Sequence, residues 1–151
     1  MANRWREWIE GMVLTELEQG ARVLVAAALG AVVGWQREHV GRAAGIRTFA
    51  AVSFGACVFG LLDGPEMRIA AQVVTGVGFL GAGIIMRDQG RITGLTTAAS
   101  LWAISAVGLM VAHGRLLLAT MIAGLLLGLL SIPMKHWERP TPTLPESKKI
   151  I

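Results

Sequence analysis

Residues 92–134 read ITGLTTAASLWAISAVGLMVAHGRLLLATMIAGLLLGLLSIPM, and Arg115 is the only Asp, Glu, Lys or Arg among them. That arginine divides the stretch into uncharged runs at 92–112 and 116–134, of 21 and 19 residues. A helix needs roughly 20 apolar residues to cross a bilayer, with about 17 as the lower limit. Both runs qualify. Working toward the N-terminus, further uncharged runs cover 69–86, 48–62 and 23–36, with lengths of 18, 15 and 14 residues. The two short runs reach spanning length if Arg22 and Arg47 stand at their edges, where a long stem carries the cationic head to the lipid headgroups. The runs lack the in/out alternation of a membrane barrel. The expected fold is therefore all-α, a polytopic membrane bundle with spans at about 18–36, 46–62, 68–86, 93–112 and 115–134.

Composition agrees. The 151-residue chain is 54% hydrophobic and 16% charged, with 19 glycines and no tyrosine, and its mean hydropathy is +0.58. Disorder requires the opposite balance. The single cysteine, Cys57, excludes an intramolecular disulfide. The net charge of +4 comes from basic residues clustered between apolar runs, which indicates membrane topology rather than nucleic-acid binding. Five spans put Arg4, Arg6, Arg22, Arg68 and Arg115 on one side. Arg37, Arg42, Arg47, Arg87, Arg91, Lys135, Arg139, Lys148 and Lys149 fall on the other. The richer side is cytoplasmic, so the N-terminus is expected outside and the C-terminus inside.

The ends have their own patterns. Trp5, Trp8, Ile9, Met12 and Val13 recur at helical spacing, which suits an interfacial helix over about 4–16 or a short segment packed on the bundle. Glu7, Glu10, Glu16 and Glu18 precede the first span and oppose a cleaved signal peptide. Pro140, Pro142 and Pro145 make 135–151 a flexible tail.

Membrane helices associate through close packing and hydrogen bonds. Gly30/Gly34 and Gly124/Gly128 each form a GxxxG pair. The third run is richer in small residues. On a helix Gln72, Thr75, Gly76 and Gly83 share one face, and Gly78, Gly81 and Ala82 lie roughly opposite, with Ala71. A helix small on two sides is expected at the bundle centre; its glycines weaken it locally, which leaves open whether it is continuous or bent or broken there. Gly76–Gly81 also matches GxGxxG, but the strand that a nucleotide site requires before it is missing. Thr93, Thr96, Thr97 and Ser100 form a hydroxyl stripe at the start of the fourth span. It either lines a path between helices or bonds its own backbone.

Two connections carry the charge. One holds Arg37, Glu38, Arg42 and Arg47, the other Arg87, Asp88 and Arg91, a balance of +3. Such arginines set orientation and touch anionic lipid, or they bind a phosphate, an anionic solute or a protein partner. Glu38 and Asp88 are each expected to pair with an arginine of the other connection. His39, His113 and His136 sit in separate segments, and neither GxxxxGK[ST] nor HExxH occurs. No catalytic, cofactor or metal site is expected.

Three stretches resemble the MgtC/SapB family. The first is Gly30-Ala31-Val32-Val33-Gly34-Trp35-Gln36-Arg37-Glu38 with Gly41-Arg42-Ala43-Ala44-Gly45-Ile46-Arg47-Thr48. The second runs from Arg68-Ile69-Ala70-Ala71-Gln72 to Gly81-Ala82-Gly83. The third is Gly94-Leu95-Thr96-Thr97-Ala98-Ala99-Ser100-Leu101-Trp102. They occur in family order over about 22–130. The resemblance implies a bacterial inner-membrane protein of about five spans, linked to low-magnesium adaptation and, in pathogens, to survival inside host cells. Some members are thought to restrain the F-type ATP synthase or alter membrane potential, so that complex is an implied partner. Membrane lipids are expected partners on composition alone, and the glycine faces allow a homo-oligomer. Family members usually carry an acid just before the arginine matched by Arg68; here Asp63 and Glu66 compete for that place. Larger members carry a cytoplasmic C-terminal domain, which the sequence to Ile151 lacks, so a short form is expected. Two functions follow as expectations: a non-enzymatic regulator of another membrane complex, or a channel or transporter along the glycine-rich third segment and the hydroxyl stripe.

Overall fold

The computed structural model describes the backbone of residues 2–88 and 91–132, and the side chains of 13–86 and 92–132. Five helices carry the fold: α1 Ala2–His39, α2 Ile46–Leu61, α3 Arg68–Ile84, α4 Leu95–Ala112 and α5 Leu116–Ser131. Between α3 and α4 lies a two-stranded antiparallel ribbon, β1 Met86–Asp88 and β2 Arg91–Thr93. Two segments are long and apolar enough to cross a membrane unaided, Val13–His39 and Leu95–Ala112. The other three helices have 16 or 17 residues, about 24–26 Å of rise against a hydrocarbon core of about 30 Å.

Several expected boundaries shift. The interfacial segment at 4–16 and the first span are one helix without a break; the Trp5, Trp8, Ile9 and Met12 side chains lie outside the described residues, as does the 135–151 tail. The helix of the expected third span ends at Ile84 and that of the expected fourth begins at Leu95, because the chain turns through the ribbon. Gly94 makes the final turn. Its φ is +87°, and a β-carbon there would collide with the Ile84 carbonyl oxygen. Only glycine meets both demands at low cost.

The larger correction concerns the centre of the bundle. It is α4, which packs against α1, α2, α3 and α5. The helix carries no charged residue and buries most of its residues, as a helix with neighbours on several sides must. Leu101, Ile104, Val107 and Val111 are fully buried and pack with Val33, Phe49 and Cys57. The α3 helix is peripheral and unbroken, burying only Ala70, Val77 and Gly81. Its glycines do not draw it inward because most of them face open space: nothing approaches within 4 Å of a β-carbon built at Gly76, Gly78 or Gly83.

Close approach is achieved elsewhere. A β-carbon at Gly30 would lie 2.5 Å from the Phe49 carbonyl oxygen, and one at Gly34 would lie 2.7 Å from Ile46 Cα. The first GxxxG pair therefore joins α1 to α2. The other pair, Gly124/Gly128, meets nothing.

The start of α3 is held by a side chain from outside the helix. Asp63 Oδ1 accepts Ile69 N–H at 3.0 Å, and Oδ2 accepts Ala70 N–H at 2.8 Å. These are donors that a helix N-terminus leaves unpaired. Glu66 instead lies 3.8 Å from Arg68 on the exposed surface. Burial alone would raise the Asp63 pKa. Hydrogen bonds from the Ala70, Ile69 and Gly64 N–H groups, with the charge of His113, outweigh it and hold the carboxyl below its ordinary value. A depressed carboxyl stabilises the fold above its unfolded pKa, and that contribution disappears as pH falls through the folded one. Asp63→Asn is therefore expected to melt below the parent at neutral pH, with the gap closing below about pH 4. Paired thermal melts across pH in detergent test this, and a gap independent of pH would show that the carboxylate charge contributes nothing.

Candidate functional site

The C-terminal ends of α1 and α5 and the N-terminal end of α4 meet at one end of the bundle, tied by two side chains of α1. Gln36 Nε2 donates to the Leu130 carbonyl of α5 at 3.1 Å. Arg37 Nη2 donates to Thr97 Oγ1 of α4 at 3.2 Å. The second connection enters the same end through β2 and Gly94.

Arg37 is the unexpected member. At the edge of an apolar run it reads as a surface cation, yet it is 3% exposed. Its Nε–H has no partner among the described residues, and neither does Gln36 Oε1, which is also buried. Sequence reasoning misses Gln36 as a site residue. The available signal is its position one residue before Arg37, a polar side chain at the end of an apolar run. Arg42 is brought round by a turn in which its N–H donates to the Arg37 carbonyl at 3.1 Å. A cavity of about 450 Å³ lies here, lined by Gln36, Arg37, Arg42, Thr96, Leu130 and Ile132 among others.

The other charged residues divide. Glu38 Oε2 accepts Ile46 N–H at 3.1 Å and so caps α2. That bond replaces the expected pair with the second connection, because the chain from Val40 to Gly45 folds the start of α2 back over the end of α1. Arg47 is exposed on the first turn of α2. Arg87, Asp88 and Arg91 are in the ribbon, with Asp88 opposite Arg91 and Arg87 opposite Ile92; their side chains lie outside the described residues. All seven positions fall at this one end of the bundle.

The hydroxyl stripe is split. Thr93 is in β2 and exposed, not on α4, because the helix starts only after Gly94. Thr96 lines the cavity. Thr97 is buried and receives Arg37, while Ser100 Oγ donates to the Thr97 carbonyl at 2.9 Å within its own helix. The expected lining of the bundle centre does not converge. Gln72 and Gly76 border an apolar groove of about 540 Å³ between α2 and α3. Thr75 Oγ1 donates to its own helix at the Ala71 carbonyl, 3.3 Å away. Gly76, Gly78 and Gly83 face outward, and Gly81 alone contacts α4, at Ala98.

At the opposite end an arginine of α1 is paired. Arg22 Nη1 donates to the Ala112 carbonyl at 2.7 Å, and Nη2 pairs with Glu18 at 2.6 Å. Arg22 thus closes the C-terminus of α4, where a cation complements the helix dipole. The two ends differ: Arg22 has a carboxylate, whereas Arg37 has none among the described residues.

Comparison with known proteins places this arrangement. Protein MgtC of Salmonella typhimurium strain 14028s is 45% identical over 98 residues, covering 62% of this chain and 42% of that protein. Protein MgtC of Brucella abortus strain 2308 is 41% identical over 110 residues, covering 68% of this chain and 46% of that protein. The chain thus spans less than half the length of these relatives. No solved structure matches. The MgtC family model matches residues 23–137, from the first turns of the buried part of α1 past the end of α5, and the chain belongs to the MgtC family.

Proposed function

We propose that this chain is a non-enzymatic regulatory protein of the bacterial inner membrane, acting in adaptation to low magnesium. Its arginine-rich end faces the cytoplasm, with the N-terminus outside and the C-terminus inside. It works by contact with another membrane complex, and by the family resemblance an F-type ATP synthase is the first candidate.

The observation that carries this reading is the contrast between centre and end. Large apolar side chains of α4 fill the middle of the bundle, whereas arginines gather at one end. A solute path along the third segment would need its glycines and polar groups turned inward; Gln72, Thr75, Gly76, Gly78 and Gly83 are exposed instead, and Gly81 alone of the lining expected on this helix packs against α4. Hard cations prefer clusters of oxygen ligands, carboxylates above all, and no group of three His, Cys, Asp or Glu gathers among the described residues.

Two measurements on the full chain test the proposal. Tagged protein extracted from bacterial membranes grown at low magnesium is expected to retain a membrane complex in fixed ratio. The purified chain in liposomes is expected to move neither magnesium nor protons. Solute flux from the purified chain, with no complex retained, would establish the transport alternative.

A further inference from the structure

We propose that the cavity at the arginine end, between the C-terminal ends of α1 and α5 and the first turn of α4, binds a phosphate group that carries a hydroxyl. The inference goes beyond the regulatory reading, since it concerns a ligand and holds whatever complex the protein contacts.

The first argument is charge. Arg37 is 3% exposed, has no partner for its Nε–H among the described residues and makes one described side-chain bond, to a neutral hydroxyl. A buried charge is costly unless it is paired. The adjacent carboxylate among the described side chains, Glu38, is occupied by a helix N-terminus. The second argument is convergence. Arg42 is exposed and lines the same cavity, so two arginines border it with the same sign of charge, an arrangement that an anion entering the cavity would relieve. Arginine forks match phosphate oxygens with paired N–H donors.

The third argument sets the hydroxyl. Gln36 lines the cavity with a buried carbonyl oxygen that accepts nothing from the described residues, while its NH₂ is fixed on Leu130. That oxygen requires a donor, which a bare phosphodiester lacks. A glycerol-bearing phospholipid headgroup supplies one, and so does hydrogen phosphate. The fourth argument is the rim. Leu129 and Ile132 line the cavity and are well exposed, an apolar border that accommodates the hydrocarbon adjoining a headgroup. The lipid headgroup and the free anion thus share one chemistry.

The test is thermal melting of the full-length protein in phosphatidylcholine nanodiscs, followed by tryptophan fluorescence. One series replaces phosphatidylcholine stepwise by phosphatidylglycerol. The other titrates inorganic phosphate against chloride at equal ionic strength. A saturable rise in melting temperature is expected in at least one series, and the series that responds identifies the source. Arg42→Gln, at an exposed position that leaves the fold intact, is expected to raise the midpoint of that response about tenfold, the loss of one charge-assisted bond. Arg68→Ala, at the opposite end and exposed, is expected to leave it unchanged. The proposal is overturned if neither series responds, if Arg42→Gln responds like the parent, or if Arg68→Ala weakens the response as much as Arg42→Gln does.

Discussion

Gly108→Ala is expected to lower the stability of the bundle by about 3 kcal/mol or more, the upper range for overpacking a tight contact. A β-carbon at Gly108 would collide with the Ser53 carbonyl oxygen and sit 3.0 Å from Ala56 Cβ. The first obstacle is backbone, so no rotamer change relieves it. The only relief is separation of α2 from α4, and α4 is the helix on which every other helix packs. The contrasting variants are Gly76→Ala and Gly124→Ala, which meet nothing within 4 Å. They are expected to gain about 0.5–1 kcal/mol, because glycine is a poor helix residue wherever contact does not require it. Thermal or denaturant melts of the three variants in one detergent decide the matter. If Gly108→Ala melts with the parent, α2 and α4 are not in backbone contact.

This contrast also marks the limit of what the residues alone reveal. Helix positions are legible because charge is excluded from a lipid-facing helix, so four of the uncharged runs coincide with α2 to α5 within a few residues, while the first covers only the C-terminal part of α1. Facing is not legible. GxxxG at 30/34 and at 124/128 has the same spacing, yet Gly30 and Gly34 join two helices while Gly124 and Gly128 point into open space. Spacing says that an approach is permitted; the partner's shape says whether it occurs. Segment three misleads for the same reason. Its glycines suggest a crowded centre, while the true centre, α4, holds a single glycine in contact and is otherwise packed with Leu, Ile and Val. The hydroxyl stripe loses Thr93 because Gly94 has a positive φ and starts the helix late, a backbone property that a face calculation cannot contain.

The charged site is half legible. The seven residues from two connections must come near each other once the helices alternate direction, and they fall at one end. Burial of Arg37 is hidden, because an arginine at the edge of an apolar run ordinarily extends to the headgroups. It turns inward here because Thr97, on the first turn of α4, offers an oxygen at the right height, and because Gln36 pins the end of α5 beside it. The partner of Glu38 is hidden too. Its carboxylate is closer in space to the unpaired N–H of Ile46 than composition suggests, since the 40–45 turn folds back tightly.

Arg37→Met is expected to stabilise the protein in phosphatidylcholine, by on the order of 1 kcal/mol, while abolishing its function. The first half follows from the surroundings. A buried charge without a counterion suffers desolvation with little Coulombic return, and apolar residues of similar volume placed at such positions commonly raise stability. Methionine keeps the length and flexibility needed to fill the space. Thr97 loses the guanidinium but can turn its hydroxyl to a carbonyl of its own helix, as Ser100 and Thr120 already do. The second half follows from the proposed ligand, since the substitution removes the group that a phosphate would engage. Three readouts on one variant separate the explanations. A higher melting temperature without anionic lipid, no further rise when phosphatidylglycerol or inorganic phosphate is added, and failure to restore growth at low magnesium together identify Arg37 as a residue kept for binding at a cost in stability. A melting temperature several degrees below that of the parent would instead make Arg37 a pin between α1 and α4, with the Thr97 bond as its purpose.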